Sequence, residues 1–159
     1  MTEQEKLERA RDTFQTICAS LDAQEWKYKK NEEALSLEYT VQGDDLPMGF
    51  RVLVDANRQI VMLISLFPFV IEEDKRIDAA IAVSAINNCL VDGCFDFDIT
   101  SGHVFFRATN TFNGCRFGED VILYMIGLAN ATVDKYNDML LMLSKGMITI
   151  EQFLTKAFN

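Results

Sequence analysis

Residues 79–112 read AAIAVSAINNCLVDGCFDFDITSGHVFFRATNTF, and this stretch decides the fold. Its second half alternates apolar with polar side chains, and Phe95, Phe97 and Ile99 lie on the apolar side. A period of two is typical of a β-strand that buries one face. The dipeptide Ser101-Gly102 predicts a two-residue turn, because glycine readily adopts the positive φ angles of tight hairpins. The stretch therefore predicts a β-hairpin.

The same alternation predicts how the two strands of this hairpin pair. A two-residue turn places Phe97 opposite Phe106 and Asp96 opposite Arg107. In that register Ile99 faces Val104, Phe95 faces Ala108 and Asp98 faces Phe105. A turn one residue longer would place apolar side chains opposite polar ones, so we expect the two-residue turn.

The first half of the stretch predicts a helix that packs on the hairpin. The residues at helical spacing are Ile77, Ala80, Ile81, Ser84 and Ala85. Small side chains allow a helix axis to lie close to the surface that it covers. We expect this row to face the sheet. The acidic residues at 72–74 lie in the predicted first turn of this helix, where the helix dipole favours negative charge.

A longer helix is predicted at the start of the chain. Thr2 and Glu5 have the spacing of a capping box. The apolar residues that follow lie on one helical face, at Leu7, Ala10, Phe14, Ile17, Cys18 and Leu21. The basic residues Lys27, Lys29 and Lys30 come next and predict a solvated strand edge.

Three strands are predicted between the two helices, over residues 35–41, around 50–54 and over 59–67. The third is apolar on both faces, with Ile60, Met62 and Ile64 on one and Val61 and Leu63 on the other. A strand of this kind needs cover on both faces, from helices or from a partner subunit. We expect Pro68 to end this strand.

The C-terminal part predicts a long helix over residues 119–145, apolar on more than one side and closed by Gly146. Thr149 then caps a short amphipathic tail. The predicted order is α-β-β-β-α-β-β-α plus a short C-terminal helix. Strands and helices in blocks indicate an α+β fold with a mainly antiparallel, five-stranded sheet, packed by helices in a single domain over residues 1–159.

The composition of the chain limits the classes of partner that it can bind. The 159 residues are 49% hydrophobic and carry a formal net charge of −9, which disfavours nucleic acid and anionic membranes as partners. The longest apolar run is interrupted at Ser65 and Pro68, whereas a membrane span needs about twenty apolar residues. The charged N-terminus does not resemble a signal peptide. We expect a soluble, cytoplasmic protein.

Cysteine and histidine usage argues against a metal centre or a cofactor. The cysteines are Cys18, Cys89, Cys94 and Cys115, none in a CxxC pair, and His103 is the only histidine. A structural zinc site is therefore not expected, and no cofactor is predicted. We expect free, mostly buried thiols.

One polar constellation lies on the outer face of the hairpin. Asp96, Asp98, His103 and Arg107 all project there in the predicted register. They could form a proton-transfer pair or an oxygen/nitrogen metal site. The simpler interpretation, which we favour, is a solvated sheet face with an Asp96–Arg107 cross-strand pair.

Phe105 lies on that same polar face. A large aromatic side chain there could anchor a contact with another chain, or could already be covered by a helix or a neighbouring strand. Together with Arg107, Asp96, Met62 and Ile64, it forms the set of residues that we expect to contact a protein partner.

The second half of the chain resembles the YbjN-like family, which is associated with the regulation of sensory transduction and has no established reaction. The resemblance runs through residues 85–88 (AINN), 93–98 (GCFDFD), 102–107 (GHVFFR), 134–136 (DKY) and 145–153 (KGMITIEQF). It implies a fold similar to that of type III secretion chaperones, which are small, acidic and usually dimeric and bind extended segments of other proteins.

The sequence thus predicts a non-enzymatic interaction or regulatory module that binds a protein segment, as a homodimer. The alternative is a small-molecule or metal-dependent sensor or enzyme that uses the Asp96/Asp98/His103/Arg107 face.

Overall fold

A computed structural model describes residues 1–158, which form four α-helices and six β-strands. In chain order they are α1 (Glu3–Ala23), β1 (Lys29–Asn31), β2 (Ser36–Gln42), β3 (Pro47–Asp55), β4 (Ile60–Val70), α2 (Arg76–Cys89), β5 (Cys94–Phe97), β6 (His103–Thr111), α3 (Glu119–Ser144) and α4 (Ile150–Ala157). A 3₁₀ turn, Glu73–Lys75, leads into α2. Within residues 1–158, no helix has the length and apolarity that a bilayer crossing requires.

All the strand pairs are antiparallel, and the sheet order is β1-β2-β3-β4-β6-β5. The predicted α+β order is confirmed, but the prediction of five strands is wrong by one. The additional strand is β1, which pairs with β2 at the edge of the sheet. Its three residues are too few for a period of two to be recognised in the sequence, although the lysines had indicated a solvated strand edge.

The N-terminal capping box is present. The backbone N–H of Glu5 donates to Thr2 Oγ1 at 3.2 Å, and the N–H of Thr2 donates to Glu5 Oε2 at 2.6 Å. The predicted apolar face of α1 is buried from Ala10 to Leu21. Leu7 is the exception, since its side chain is 39% exposed.

Three hairpin turns of this sheet are capped by a side chain in the same way. An Asn or Asp begins each turn and accepts a hydrogen bond from the backbone N–H three residues later: Asn31 from Ala34, Asp55 from Arg58 and Asp98 from Ser101. The residue after that N–H has a positive φ angle, at Leu35, Gln59 and Gly102. These side-chain caps favour a four-residue loop.

The third of these turns corrects the predicted hairpin. The loop spans 99–102 rather than Ser101-Gly102 alone, because the Asp98 carboxylate also binds the N–H of Thr100. Two extra residues in the loop leave the β5 side chains on their predicted faces but shift the partner of each by two positions. Ile99, predicted to lie opposite Val104, is instead in the loop and is 47% exposed. Phe95 is therefore opposite Phe106, Asp96 opposite Phe105, Phe97 opposite Val104 and Cys94 opposite Arg107.

The core lies between the helices and one face of the sheet, here called the inner face. Phe95 is at its centre, with ring centroids of Phe67, Phe106 and Tyr136 at 5.7, 5.3 and 5.9 Å. Tyr136 belongs to α3, which packs against α1 and α2 as well as the sheet. The prediction that the long helix is apolar on more than one side agrees with this position, although Tyr124 is exposed and donates a hydrogen bond to Asp92.

The predicted orientation of α2 is wrong. Its buried residues are Ala79, Ala82, Val83 and Ile86. The row expected to face the sheet points the other way, with Ile77 65% and Ile81 46% exposed. Both faces of α2 carry alanine and aliphatic residues, so the periodicity alone did not distinguish them.

β4 is longer than predicted, since Pro68 does not end it. The strand continues to Val70, and its pairing with β6 shifts register between Leu66 and Val70. A proline is compatible with an irregular part of a strand, where the ladder does not use its missing N–H.

Candidate protein-binding surface

The face of the sheet opposite the core remains open along β4. Val61, Leu63, Ser65 and Phe67 are buried on the inner face, whereas Met62 and Ile64 are half-buried on the other and Leu66 is 55% exposed. Of the two kinds of cover that the sequence predicted for this strand, helices are present on the inner face only, and cover of the other face by a partner subunit stays a prediction. Leu66 was not singled out in the sequence, although it continues the alternation of Met62 and Ile64.

Phe105 extends this apolar row onto the neighbouring strand. It is paired directly with Leu66 across β4 and β6, and its side chain is half-buried. Ile64 lies between Arg51 on β3 and Arg107 on β6. We call the surface formed by Met62, Ile64, Leu66 and Phe105 the outer sheet face. It brings together the three apolar residues that the sequence predicted as protein contacts.

The two charged residues of the predicted contact set form an ion pair beside this row. Arg107 Nε donates to Asp96 Oδ2 at 2.7 Å, and its Nη2 donates to Asp96 Oδ1 at 3.3 Å. The pair is diagonal rather than directly cross-strand, because the longer turn places Arg107 opposite Cys94. The hydrogen bonds to Asp96 raise the pKa of Arg107 and keep the guanidinium charged.

A shallow depression continues the outer sheet face toward β2 and β3. Gly49 contributes no side chain there, and Glu38, Thr40, Arg51, Ile64 and Leu66 surround it. A Cβ atom built on Gly49 would meet no other atom within 4 Å. The depression exists because this strand position carries no side chain.

The structure divides the four-residue polar constellation that the sequence predicted. Asp96 is bound to Arg107, whereas Asp98 belongs to the hairpin turn and accepts from Ser101 Oγ at 2.6 Å. His103 Nδ1 lies 3.0 Å from the same Ser101 Oγ. The hydrogen bonds from Ser101 and Thr100 hold the pKa of Asp98 below its usual range. In the part of the chain that the structure describes, no three His, Cys, Asp or Glu residues are grouped to hold a metal ion.

The outward row of α2 forms a second open apolar surface. Ile77, Ala80, Ile81, Ser84 and Ala85 line a shallow groove, and Phe158 lies beside it. We call this surface the α2 row. The sequence predicted that these residues share one face of the helix, but it predicted that this face would be buried against the sheet.

A cleft of about 580 Å³ lies between α1 and the β1–β2 hairpin. Its floor is apolar, formed by Phe14, Cys18 and Leu35, and its rim is charged, formed by Arg11, Asp22, Lys30, Glu32 and Glu33. Burial raises the pKa of the Cys18 thiol, which disfavours the reactive thiolate. The cleft therefore lacks an activated nucleophile at its floor.

The cysteines are only partly as predicted. All four are free thiols, but Cys89 and Cys115 are exposed and only Cys18 is buried. Cys89 ends α2 and Cys115 lies in the loop before α3, so neither belongs to an element face that packs on the core.

No protein-family model matches the chain, and no curated protein is significantly similar to it in sequence. Its fold, however, is similar to that of several solved structures. A chain of the ExsC–ExsE complex matches at 16% identity over 65% of this chain and 75% of its own, with a TM-score of 0.48. A chain of the HopA1–SchA chaperone–effector complex matches at 12% identity over 83% and 89%, also with a TM-score of 0.48.

The crystal structure of YbjN from E. coli matches with a TM-score of 0.58. The match covers 84% of this chain and 92% of YbjN, at 8% sequence identity. At this identity the likeness concerns the fold and not the function. The YbjN-like fold implied by the motifs between residues 85 and 153 is confirmed, and the chain has the fold of YbjN.

Proposed function

We propose that this protein is a non-enzymatic interaction module that binds an extended segment of another protein on its outer sheet face. The observation that carries the proposal is the exposed apolar row along β4, where Leu66 is 55% exposed in the middle of a sheet. Apolar side chains grouped on an open sheet face are typical of a contact surface. The row continues across the strand pair to Phe105.

The dimensions of this surface favour a polypeptide in extended form. Residues 60–66 of β4 span about 20 Å at the rise of a β-strand. An extended segment of similar length could place alternate side chains on Met62, Ile64 and Leu66, with one filling the depression at Gly49. Arg51 and Arg107 flank Ile64 and could donate hydrogen bonds to backbone carbonyls or acidic side chains of the partner.

The polar groups nearby support binding rather than catalysis. Asp96 is neutralised by Arg107, and Asp98 is held in the hairpin turn by three hydrogen bonds. A catalytic acid or base needs access to the proton that it transfers. The net charge of −9 also repels phosphate-rich ligands.

We further propose that the chain acts as a homodimer, with the α2 row as the contact between subunits. Ala80 and Ser84 leave space between the larger Ile77 and Ile81. Two copies of the helix related by a two-fold axis could place the isoleucines of each against the small residues of the other.

Matched variants test the partner site. Wild type, Leu66→Asp and Val91→Asp are immobilised and exposed to extract of the native cell. Val91 is 97% exposed and lies off both surfaces, so it controls for an added charge. We expect one polypeptide to be retained by wild type and by Val91→Asp and lost from Leu66→Asp. Equal retention by all three proteins would contradict the proposed site.

Sedimentation velocity tests the dimer. We expect wild type and Val91→Asp to sediment as dimers and Ile81→Asp as a monomer of unchanged circular dichroism. A monomeric wild type at micromolar concentration would contradict the dimer, and a dimeric Ile81→Asp would contradict the α2 row as its contact.

A further inference from the structure

The Asn87 side chain forms hydrogen bonds with the backbone at the outer edge of β5. β5 is the last strand of the sheet. The backbone N–H of Phe95 donates to Asn87 Oδ1 at 2.8 Å, and Asn87 Nδ2 donates to the carbonyl of Phe95 at 2.9 Å. One amide of α2 therefore makes the two hydrogen bonds that a neighbouring strand would make at this residue.

A groove lies along the remainder of this edge. Backbone groups alternate in direction along an antiparallel strand, so Phe97 directs its N–H and carbonyl to the same side as Phe95. Beside Phe97, α2 presents the small residues Ala80 and Ser84, and a groove runs between the helix and the strand. Asn87 lies in this groove and interrupts an otherwise accessible edge.

The opposite edge of the sheet has a different form of protection. β1 has three residues, all exposed, and two of them are Lys29 and Lys30. Short length and lysine side chains oppose pairing with another chain. β5, with the sequence CFDF, carries one charged residue, Asp96, and that carboxylate is already paired with Arg107. Charge therefore does little to protect this edge.

We propose that the Asn87 side chain prevents the β5 edge from pairing with the β5 edge of a second copy of this chain, because it occupies the N–H and carbonyl of Phe95. An antiparallel pair of identical strands satisfies two-fold symmetry, so each copy presents the complement that the other needs. Removal of the amide leaves the N–H and carbonyl of Phe95 without their partner. The edge then offers consecutive outward hydrogen-bonding positions at Phe95 and Phe97. This inference does not depend on the outer sheet face, and its groove shares Ala80 and Ser84 with the α2 row.

The test compares three variants at the same helix. Asn87→Ala removes both hydrogen bonds, and alanine favours the helix more than asparagine, so we expect the fold to persist. Asn87→Asp keeps an acceptor for the N–H of Phe95 but loses the donor to its carbonyl. Asn88→Ala is the control for hydrogen exchange only, because Asn88 is exposed and has no side-chain hydrogen bond within residues 1–158, but it lines the groove of the α2 row. Amide hydrogen exchange, sedimentation velocity and far-ultraviolet circular dichroism are measured for each.

In Asn87→Ala we expect the Phe95 amide to exchange about tenfold faster or more in dilute solution, since local protection depends on its acceptor. At higher concentration we expect assemblies larger than those of wild type, in which the Phe97 amide becomes protected. Asn87→Asp should retain more protection at the Phe95 amide than Asn87→Ala, and Asn88→Ala should match wild type in the exchange of this amide.

Sedimentation of Asn87→Ala identical to wild type at all concentrations would overturn the proposal, and so would assembly without protection of Phe97. If Asn87→Ala does not fold, the same two measurements on Asn87→Asp decide the question.

Discussion

The carboxylate of Asp134 on α3 occupies the space where a side chain on Gly43 would begin. Its Oδ1 accepts a hydrogen bond from the N–H of Asp44 at 2.9 Å, which ties the helix to the turn between β2 and β3. A Cβ atom on Gly43 would clash with this oxygen and would lie 2.7 Å from the carbonyl oxygen of Leu46. The turn can therefore approach α3 only because residue 43 is glycine.

Gly43→Ala should lower the free energy of unfolding by about 1–3 kcal/mol, since the backbone carbonyl of Leu46 cannot move aside easily. Urea denaturation monitored by fluorescence measures this. Gly49→Ala is the matched control, because its Cβ would meet no neighbouring atom. In a double-mutant cycle, Asp134→Ala should recover part of the loss caused by Gly43→Ala. Strict additivity would show that the two residues are not coupled.

Gly49→Val should separate stability from partner binding. Valine suits a strand better than glycine, and the site is open, so we expect stability to be unchanged within about 0.5 kcal/mol or to increase. The new side chain would fill the depression on the outer sheet face. Thermal unfolding should therefore be preserved while retention of the partner polypeptide is lost. Full retention by Gly49→Val would exclude the depression from the binding site.

Phe105→Asp should give a folded protein with weakened partner binding. The ring is half-buried on the outer sheet face rather than in the core. Loss of a central aromatic contact weakens a protein interface by about tenfold or more. Titration calorimetry with the purified partner measures the affinity, and circular dichroism checks the fold. An insoluble variant would instead indicate that Phe105 is needed for folding.

Asp98 should make stability depend on pH in the acid range. Its pKa is lowered in the folded state by the hydroxyl of Ser101 and the N–H groups of Thr100 and Ser101. Because its pKa is lowered on folding, the Asp98 carboxylate contributes stability that is complete above its unfolded-state pKa of about 4. That stability is lost as the pH falls through the lower pKa of the folded state. Asparagine at position 98 keeps an oxygen that can accept from the backbone N–H groups, but its side chain does not titrate.

We therefore expect Asp98→Asn to reduce the slope of unfolding free energy against pH below about pH 4, measured by urea denaturation. Asp12→Asn, on the exposed side of α1, is the control and should leave the slope as in wild type. Identical slopes for Asp98→Asn and wild type would show that the turn does not depend on the charged carboxylate.

The sequence by itself determined the features that depend on neighbouring residues. Thr2 and Glu5 predicted the start of α1, because a capping box involves only four consecutive residues. The alternation in 94–99 and 103–108 predicted two strands and the faces of most of their side chains. The motifs of the second half implied the YbjN-like fold, which the comparison with YbjN bears out.

Tertiary structure decided which of two similar faces is buried and which residues meet. The faces of α2 differ little in apolarity, and packing against α4, β5 and α3 selected Ala79 and Val83 over Ile77 and Ile81. The turn at Asp98 has two more residues than predicted, because side-chain hydrogen bonds, which periodicity does not encode, stabilise the longer loop. That shift separated Asp98 and His103 from the Asp96–Arg107 pair, and the sheet order left Leu66 and Phe105 together on an open face.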